Sequence, residues 1–370
     1  MDVLAEANRR RAAGHPVISM AVGQPADPAP LAVREAAQRA LRDGRIGYTD
    51  ALGLVSLREA IAAHYHEHYG VSVDPARIAV TTGSSAAFNL AFLVYFDPGD
   101  RVAITRPGYP AYRNILRALG LEVVEISTGG TEASLTAEAL RAAHAEKPLK
   151  GVLFASPANP TGAVIAPDAL CDIVETARGL GIRVISDEIY HRLSYEHEDV
   201  TALSFADDLT VINSFSKYYC MTGWRIGWMV VPPDLMRPVE RLAQNLYISP
   251  PSIAQAAALG AFDAGTELEA NRNAYAESRA LLLRELPEAG FTTFAPADGA
   301  FYLYCDVSHL AEDSLALSRA LLDEAGVAVT PGIDFDAENG HRFLRFSYAG
   351  TPADMAEAAA RLKAWARNRR

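Results

Sequence analysis

The chain has 370 residues, half of them hydrophobic, with a formal net charge of −11. It is long enough to bury a large core split between a bigger and a smaller domain, and its negative charge argues against a nucleic-acid partner, which would need a basic face. Three scattered cysteines, Cys171, Cys220 and Cys305, suit free thiols of a reducing compartment, and no stretch approaches the ~20 apolar residues of a membrane span. The opening Met1-Asp2-Val3-Leu4-Ala5-Glu6-Ala7 carries an acid and no long apolar run, so no secretory signal is read there. A cytoplasmic protein with no membrane partner is expected.

Along the chain, the first distinctive feature is the cluster His64-Tyr65-His66-Glu67-His68, in which His64 and His68 share a helix face. It lacks the HExxH arrangement and a third ligand at motif distance, so a solvated helix end is expected and no metal site. From about residue 77 to 231, short β-rich runs alternate with helical patterns. That is the mark of an α/β fold with a mainly parallel seven-stranded sheet and helices on both faces. Strands are expected at 78–82, 102–105, 122–126, 151–155, 184–186, 210–213 and 226–231. Helices such as 86–95 and 167–180 lie between them, the second opened by Pro167 in a first-turn position. A long helical region, 232–286, leads to a smaller α+β segment. Its expected strands are 292–294, 301–306, 327–330 and 343–348, with helices around 315–325 and 352–366.

Polar groups recur at the carboxyl ends of the expected strands, where open α/β sheets build their sites. Gly83-Ser84-Ser85 opens a helix directly after a strand; its amides and hydroxyls suit an anion, and an ordinary serine cap explains the same residues. Tyr109 lies in Arg106-Pro107-Gly108-Tyr109-Pro110, Asn159 in Asn159-Pro160-Thr161-Gly162, and Asp187 in Ser186-Asp187-Glu188-Ile189-Tyr190. Lys217 closes Asn213-Ser214-Phe215-Ser216-Lys217, thirty residues after Asp187 and eight before Arg225. Singly, each is ordinary: a lone lysine in a polar turn is usually solvated, and an aspartate at a strand end usually caps or turns. Together, a lysine, an acid and an anion-binding arginine are what a protein supplies to pyridoxal-phosphate (PLP) chemistry. The amine forms a Schiff base, the carboxylate keeps the pyridine nitrogen protonated, and the cation with nearby hydroxyls holds the phosphate.

The ordered set of motifs, from Gly23-Gln24-Pro25 to Arg345-Phe346-Ser347-Tyr348, resembles the class I/II aminotransferases of PLP fold type I over most of the chain. The resemblance implies pyridoxal 5′-phosphate as cofactor. It also implies a large cofactor-binding domain at 41–265 and a small α+β domain at 266–370, which the segment 1–40 joins. Lys217 would carry the cofactor and then move the proton at substrate Cα, while Asp187 pairs with the pyridine nitrogen. Tyr190 and Asn159 would bond the ring's 3′ oxygen, and Tyr109 would stack on the ring, although a half-buried loop tyrosine reads the same way. The phosphate would rest on Ser84, Ser85, Ser214 and Arg225; Ser216 is left out because the family fills that position variably.

Arg345 matches the arginine that takes the substrate α-carboxylate in a fork lysine cannot reproduce, with Gly23 and Asn159 beside it. Arg342 competes for that role; on one alternating strand the two would face opposite ways, and the Arg-Phe-Ser-Tyr context selects Arg345. Tyr48, in Gly47-Tyr48-Thr49-Asp50, matches a tyrosine that reaches the phosphate of the neighbouring subunit, implying a homodimer with shared sites. The implied activity is ping-pong transfer of the amino group of an L-amino acid to a 2-oxo acid. A PLP lyase or an aminocyclopropane-carboxylate-synthase-like enzyme would use the same cofactor residues. A PLP-sensing regulator usually adds an amino-terminal helix-turn-helix module, whereas this chain opens in the enzyme-like region.

Overall fold

The computed structural model describes residues 2–44, 46–129 and 134–369, so Met1 and Arg370, the outer ends of two expected domain segments, lie outside the described residues. Strand β1 (Ile18–Ser19) stands apart from the main sheet. The members of that sheet follow in the chain as β2 (Ile78–Thr81), β3 (Arg101–Arg106), β4 (Glu122–Ser127), β5 (Gly151–Ala155), β6 (Arg183–Asp187), β7 (Thr210–Ser214) and β8 (Gly227–Val230). All seven expected strands are present, with ends displaced by no more than one residue. They lie in the order β2-β8-β7-β6-β5-β3-β4. Only β8 runs against its neighbours; the remaining pairs are parallel. The parallel strands therefore end at one edge, and the reversed β8 brings the residues just before it to that same edge.

The sheet is covered on both faces because its strands are apolar at successive positions. Val152 and Phe154 join one buried cluster and Leu153 the other; Val184 and Ile185, Val211 and Ile212, and Trp228 and Met229 divide the same way. This is the pattern of strands buried on both faces. One face is packed by α4 (Gly83–Tyr95), α5 (Pro110–Ala118) and α8 (Met236–Tyr247). Earlier in the chain come α1 (Asp2–Ala12), α2 (Leu31–Asp43) and α3 (Val55–Tyr69), and between α5 and α8 come α6 (Ala137–Glu146) and α7 (Pro167–Gly179). Helices α3, α6 and α7 pack the opposite face. Pro167 is indeed at the first turn of α7, where its missing N–H costs nothing.

The expected helical region 232–286 is broken into α8, α9 (Ser252–Leu259) and α10 (Gly265–Glu285). Ile248 at φ 65 and the pair Pro250-Pro251 stop α8, since proline cannot supply the next helical N–H. Beyond α10 come β9 (Thr293–Phe294), β10 (Tyr302–Asp306), α11 (Ser314–Ala320), β11 (Val327–Ala328), β12 (Thr330–Pro331), β13 (Phe343–Ser347) and α12 (Pro352–Arg367). The second sheet is antiparallel, in the order β12-β13-β10-β9. The single strand expected at 327–330 is two: β11 pairs with β1, and β12 crosses to pair with β13, its Pro331 tolerated at a sheet edge. The helix expected at 315–325 is α11, capped by Asp313, followed by a π turn at Leu321–Ala325.

The histidine cluster needs a correction. His66 and His68 are exposed at the end of α3, but His64 is buried among Tyr65, Tyr69 and Trp228. Burial, helped by the charges of His68, Arg192 and His191, pushes its pKa down to about 3. No group of three or more metal-binding side chains occurs among the described residues, and no described helix is long and apolar enough to cross a membrane.

Candidate active site

A cavity of about 300 Å³ opens at the carboxyl edge of the main sheet, where the strand-end loops meet β13 and the segment after β1. Lys217 stands in the turn after β7. Its Nζ donates to the Gly23 carbonyl at 2.6 Å and lies 5.8 Å from the ring centres of Tyr190 and Phe301. Although the side chain is only half-buried by area, its amine is deep in the cavity. Burial, reinforced by the positive charges of Arg345 and Arg225 and opposed by Asp187, brings its pKa down to about 8.

Asp187 ends β6 and is buried. Its Oδ1 accepts from the Ile189 amide at 3.1 Å and its Oδ2 from the hydroxyl of Tyr112. Burial pushes its pKa up to about 6, against the pull of those two hydrogen bonds. Tyr190, in the turn that follows, shares a hydrogen bond of 2.8 Å with Tyr302 of β10. Asn159, in the loop after β5, accepts from Arg345 Nη1 at 2.9 Å.

Arg345 is buried in β13, opposite Tyr304 on one side and Thr330 on the other. Its Nη2 donates to the Ala21 carbonyl at 2.7 Å and to Thr330 Oγ1 at 3.3 Å, and its guanidinium lies 4.2 Å from the ring centre of Tyr302 and 4.7 Å from that of Phe335. The Nε atom is buried with no partner, and no carboxylate forms an ion pair with Arg345 among the described residues. A buried guanidinium in that condition is poised for an incoming carboxylate. Arg342 is elsewhere: it closes a 3₁₀ turn before β13 and bonds Asp306 at 2.9 Å on the surface. Alternation along a strand was therefore the wrong reason for separating the two arginines, because Arg342 is not on the strand.

The amino end of α4 faces the same cavity. Thr82, at the N-cap, makes no side-chain bond to the helix, so the first amides are left uncapped beside Ser84 and Ser85. Arg225, held at φ 51 before β8, lies across this end: a Cβ at Gly83 would meet its Nη2 at 2.4 Å. Ser216 lines the cavity. Ser214 is turned inward instead, its hydroxyl donating to the Ile226 carbonyl at 3.1 Å and sharing a hydrogen bond of 2.9 Å with Ser216 Oγ. Tyr109, 38 % exposed, walls both this cavity and an adjoining one of about 550 Å³ whose lining includes Val3, Leu4, Val329, Ile333 and Phe335. Tyr48 is 83 % exposed and belongs to neither cavity wall.

Sequence reasoning missed Tyr112, Tyr302 and Thr330. Each is a side chain of a regular element with no motif around it. The one available signal was Tyr112 lying three residues after Tyr109 across a helix-opening proline.

Residues 15–362 match the family described as aminotransferase class I and II. The chain belongs to that family. This aminotransferase is 48% identical over 371 residues to the valine–pyruvate aminotransferase of Mycobacterium tuberculosis, covering 99% of this chain and 95% of that one. It is 35% identical over 362 residues to the aspartate/prephenate aminotransferase of Thermus thermophilus, covering 96% and 92%. The crystal structure of an aminotransferase from Mycobacterium tuberculosis matches with a TM-score of 0.96 at 47% identity, over 100% of this chain and 96% of the other. That of Thermus thermophilus aspartate aminotransferase with maleate matches at 0.92 and 34%, over 98% and 95%. The expected architecture and the enzyme class, transfer of amino groups, both hold.

Proposed function

We propose that the 300 Å³ cavity holds pyridoxal 5′-phosphate on Lys217 and that the chain moves the amino group of an L-amino acid with an apolar side chain to a small 2-oxo acid, in two half-reactions. The observation that carries the reading is the convergence on one cavity of a half-buried amine with lowered pKa and a buried guanidinium with an unpartnered Nε. The walls fit the cofactor: an uncapped helix start under Arg225 suits a phosphate, and a buried acid suits a pyridinium. When bound, the cofactor supplies an aldehyde that takes the amine and a ring that accepts the electron pair left at Cα.

The chain's own groups do the rest. Lys217 Nζ holds the cofactor and, once released, takes and returns the Cα proton, a task for which a pKa near neutrality suits an amine. Asp187 keeps a negative charge beside the ring nitrogen, and Tyr190 with Asn159 donates to the ring oxygen. Ser84, Ser85, Ser214 and Arg225 hold the phosphate, the inward Ser214 by turning its hydroxyl. Tyr109 covers the ring face. Arg345 takes the α-carboxylate, and Gly23 lets the main chain pass close by: a Cβ there would meet the Tyr302 hydroxyl at 1.9 Å.

For the substrate, the relative that acts on valine and pyruvate supports an apolar donor, and the apolar part of the 550 Å³ cavity beside Arg345 has room for its side chain. The segment 1–40 with 266–370 forms the small domain around 41–265. Two chains form a homodimer in which exposed Tyr48 reaches the partner's phosphate. Three free thiols suit the cytoplasm. The experiment is product analysis after incubating the enzyme with a panel of amino acids and 2-oxo acids. Matched formation of a new amino acid and a new oxo acid, with valine among the better donors, is expected; release of ammonia or an alkene instead would overturn the transfer reading.

A further inference from the structure

We propose that Arg192, Tyr218 and Glu269 clamp the turn carrying Lys217 against the turn carrying Tyr190, as positioning residues that set how firmly the cofactor's linkage to Lys217 holds a proton. The inference rests on the reading that the cavity holds pyridoxal phosphate on Lys217. The two turns leave the neighbouring strands β6 and β7, and the Glu188 amide still reaches the Ile212 carbonyl at 2.8 Å. Past that bond, no backbone hydrogen bond joins residues 189–194 to residues 215–221 among the described residues. Side chains join them instead. Tyr218, next to Lys217 and 4 % exposed, has the Arg192 guanidinium 4.7 Å from its ring centre, and its hydroxyl accepts from Arg192 Nη2 at 3.0 Å. Glu269 of α10 closes the triangle: its Oε1 accepts from Arg192 Nη2 at 2.7 Å and from the Tyr218 hydroxyl at 2.6 Å.

Arg192 is itself fixed. It is held at φ 71, an uncommon conformation for a residue with a side chain, and its amide donates to Asp199 Oδ2 at 2.6 Å. The amides of His191 and Leu193 bond the carbonyls of Glu188 and Tyr190 at 3.0 Å each, so Arg192 and Tyr190 belong to one tight turn. The Lys217 turn is as tight: the Cys220 amide bonds the Lys217 carbonyl and the Met221 amide the Phe215 carbonyl, both at 3.0 Å. A displacement of Tyr218 is therefore passed to Lys217, whose Nζ lies 5.8 Å from the Tyr190 ring centre. The other charged or titratable groups at the clamp are His68 of α3, 2.7 Å from Arg192 Nη1, and Arg272, 3.7 Å from Glu269. None of the clamp residues lines the cavity, so their route to it runs through the two turns. Tyr190 is read as a donor to the ring oxygen, the ortho neighbour of the aldehyde carbon that Lys217 takes. A donor on that oxygen draws off negative charge that would otherwise retain the proton on the Lys217 nitrogen. Hydrogen bonds weaken steeply with misalignment, so a slack clamp weakens the Tyr190 bond and leaves the linkage protonated to higher pH.

The test is a pH titration of the visible absorbance of holoenzyme, which reports the proton on the Lys217 linkage without turnover. In Tyr218→Phe, which keeps the ring beside Arg192, the midpoint is expected to rise by about half a unit to one unit, part of what losing a hydrogen bond to a charged oxygen would give. Arg192→Lys, which keeps the charge but not the fork, is expected to move it the same way. Glu269→Gln separates position from charge: loss of a negative charge alone lowers the midpoint, whereas a slackened clamp raises it, and a rise is expected. In a Tyr190→Phe background, Tyr218→Phe is expected to add nothing, because the donor it acts through is gone. Thermal melting checks that each variant is folded. An unmoved midpoint in Tyr218→Phe, a fall in Glu269→Gln, or an undiminished shift in the Tyr190→Phe background would overturn the proposal. Borohydride reduction of wild-type holoenzyme separates this from failure of the underlying reading. A label on Lys217 with an unmoved midpoint sinks only the clamp, whereas a label elsewhere sinks the reading itself.

Discussion

Replacing Arg345 by lysine isolates the carboxylate site, because the structure shows which of its donors are already committed. Nη1 has one hydrogen on Asn159, Nη2 bonds Ala21 and Thr330, and the buried Nε has no partner among the described residues. A carboxylate arriving here completes a charge-assisted pair worth about 1.5–3 kcal/mol per hydrogen bond. Lysine keeps the charge but brings one compact ammonium instead of a fork, so at least one such bond is lost, along with the flat contact at 4.2 Å from the Tyr302 ring centre. A loss of about 1.5–3 kcal/mol corresponds to a fall in kcat/KM of roughly 10- to 150-fold, carried mostly by KM, with cofactor content unchanged. The control is Arg342→Lys, which alters a surface pair with Asp306 away from the cavity. Such pairs are worth about 0–1 kcal/mol, so less than roughly a fivefold change is expected. Initial rates over a range of amino-acid concentrations measure both. If Arg342→Lys produces the large KM effect and Arg345→Lys does not, the assignment of the carboxylate site is refuted.

Three further outcomes are expected. Because burial and two arginines depress the Lys217 pKa to about 8, the reactive neutral amine accumulates as pH rises through that value. Reductive labelling of cofactor-free enzyme at Lys217 should therefore climb between about pH 7 and 9; a midpoint near that of a free lysine would show that the site does not depress it. Gly83→Ala introduces a Cβ 2.4 Å from Arg225 Nη2 at a residue with φ +70. Equilibrium dialysis should find pyridoxal phosphate bound at least tenfold more weakly, from about 1–2 kcal/mol of backbone cost plus a displaced arginine, with pyridoxal itself less affected; equal weakening of both would remove the phosphate role. A mixed dimer of Tyr48→Phe and Lys217→Ala chains has one doubly altered and one intact site if Tyr48 crosses the interface. Activity near half of wild type is expected in the purified mixed dimer, and no recovery, with Tyr48→Phe itself impaired, would confine Tyr48 to its own subunit.

Much of the main sheet was legible because its strands are buried on both faces and so read as apolar runs such as Val152-Leu153-Phe154. The second sheet was less so. Residues 327–330 look like one strand, yet they divide between partners at Ile18–Ser19 and Leu344–Arg345, far away in sequence. His64 was read with its exposed neighbours, although the burial that distinguishes it comes from Trp228 and Tyr219 on other elements. In the site, Lys217, Arg225 and Asn159 stand in loops that follow strands and Asp187 closes a strand, where local sequence is distinctive. Tyr112 and Tyr302 stand inside regular elements, where a tyrosine looks like any core aromatic.

The sequence by itself determined the alternation of strands and helices, the edge at which polar loops gather, and the residue types on those loops, since each depends on neighbours a few positions apart. Only the tertiary structure decided which groups meet. It set Tyr112 on Asp187, Tyr302 on Tyr190, and the Asn159 amide on Arg345, and it placed Arg342 on the surface by starting β13 one residue after it. Those contacts depend on how α5, β10 and β13 pack against the sheet edge, and burial away from water then sets the charge state of Lys217 and Asp187.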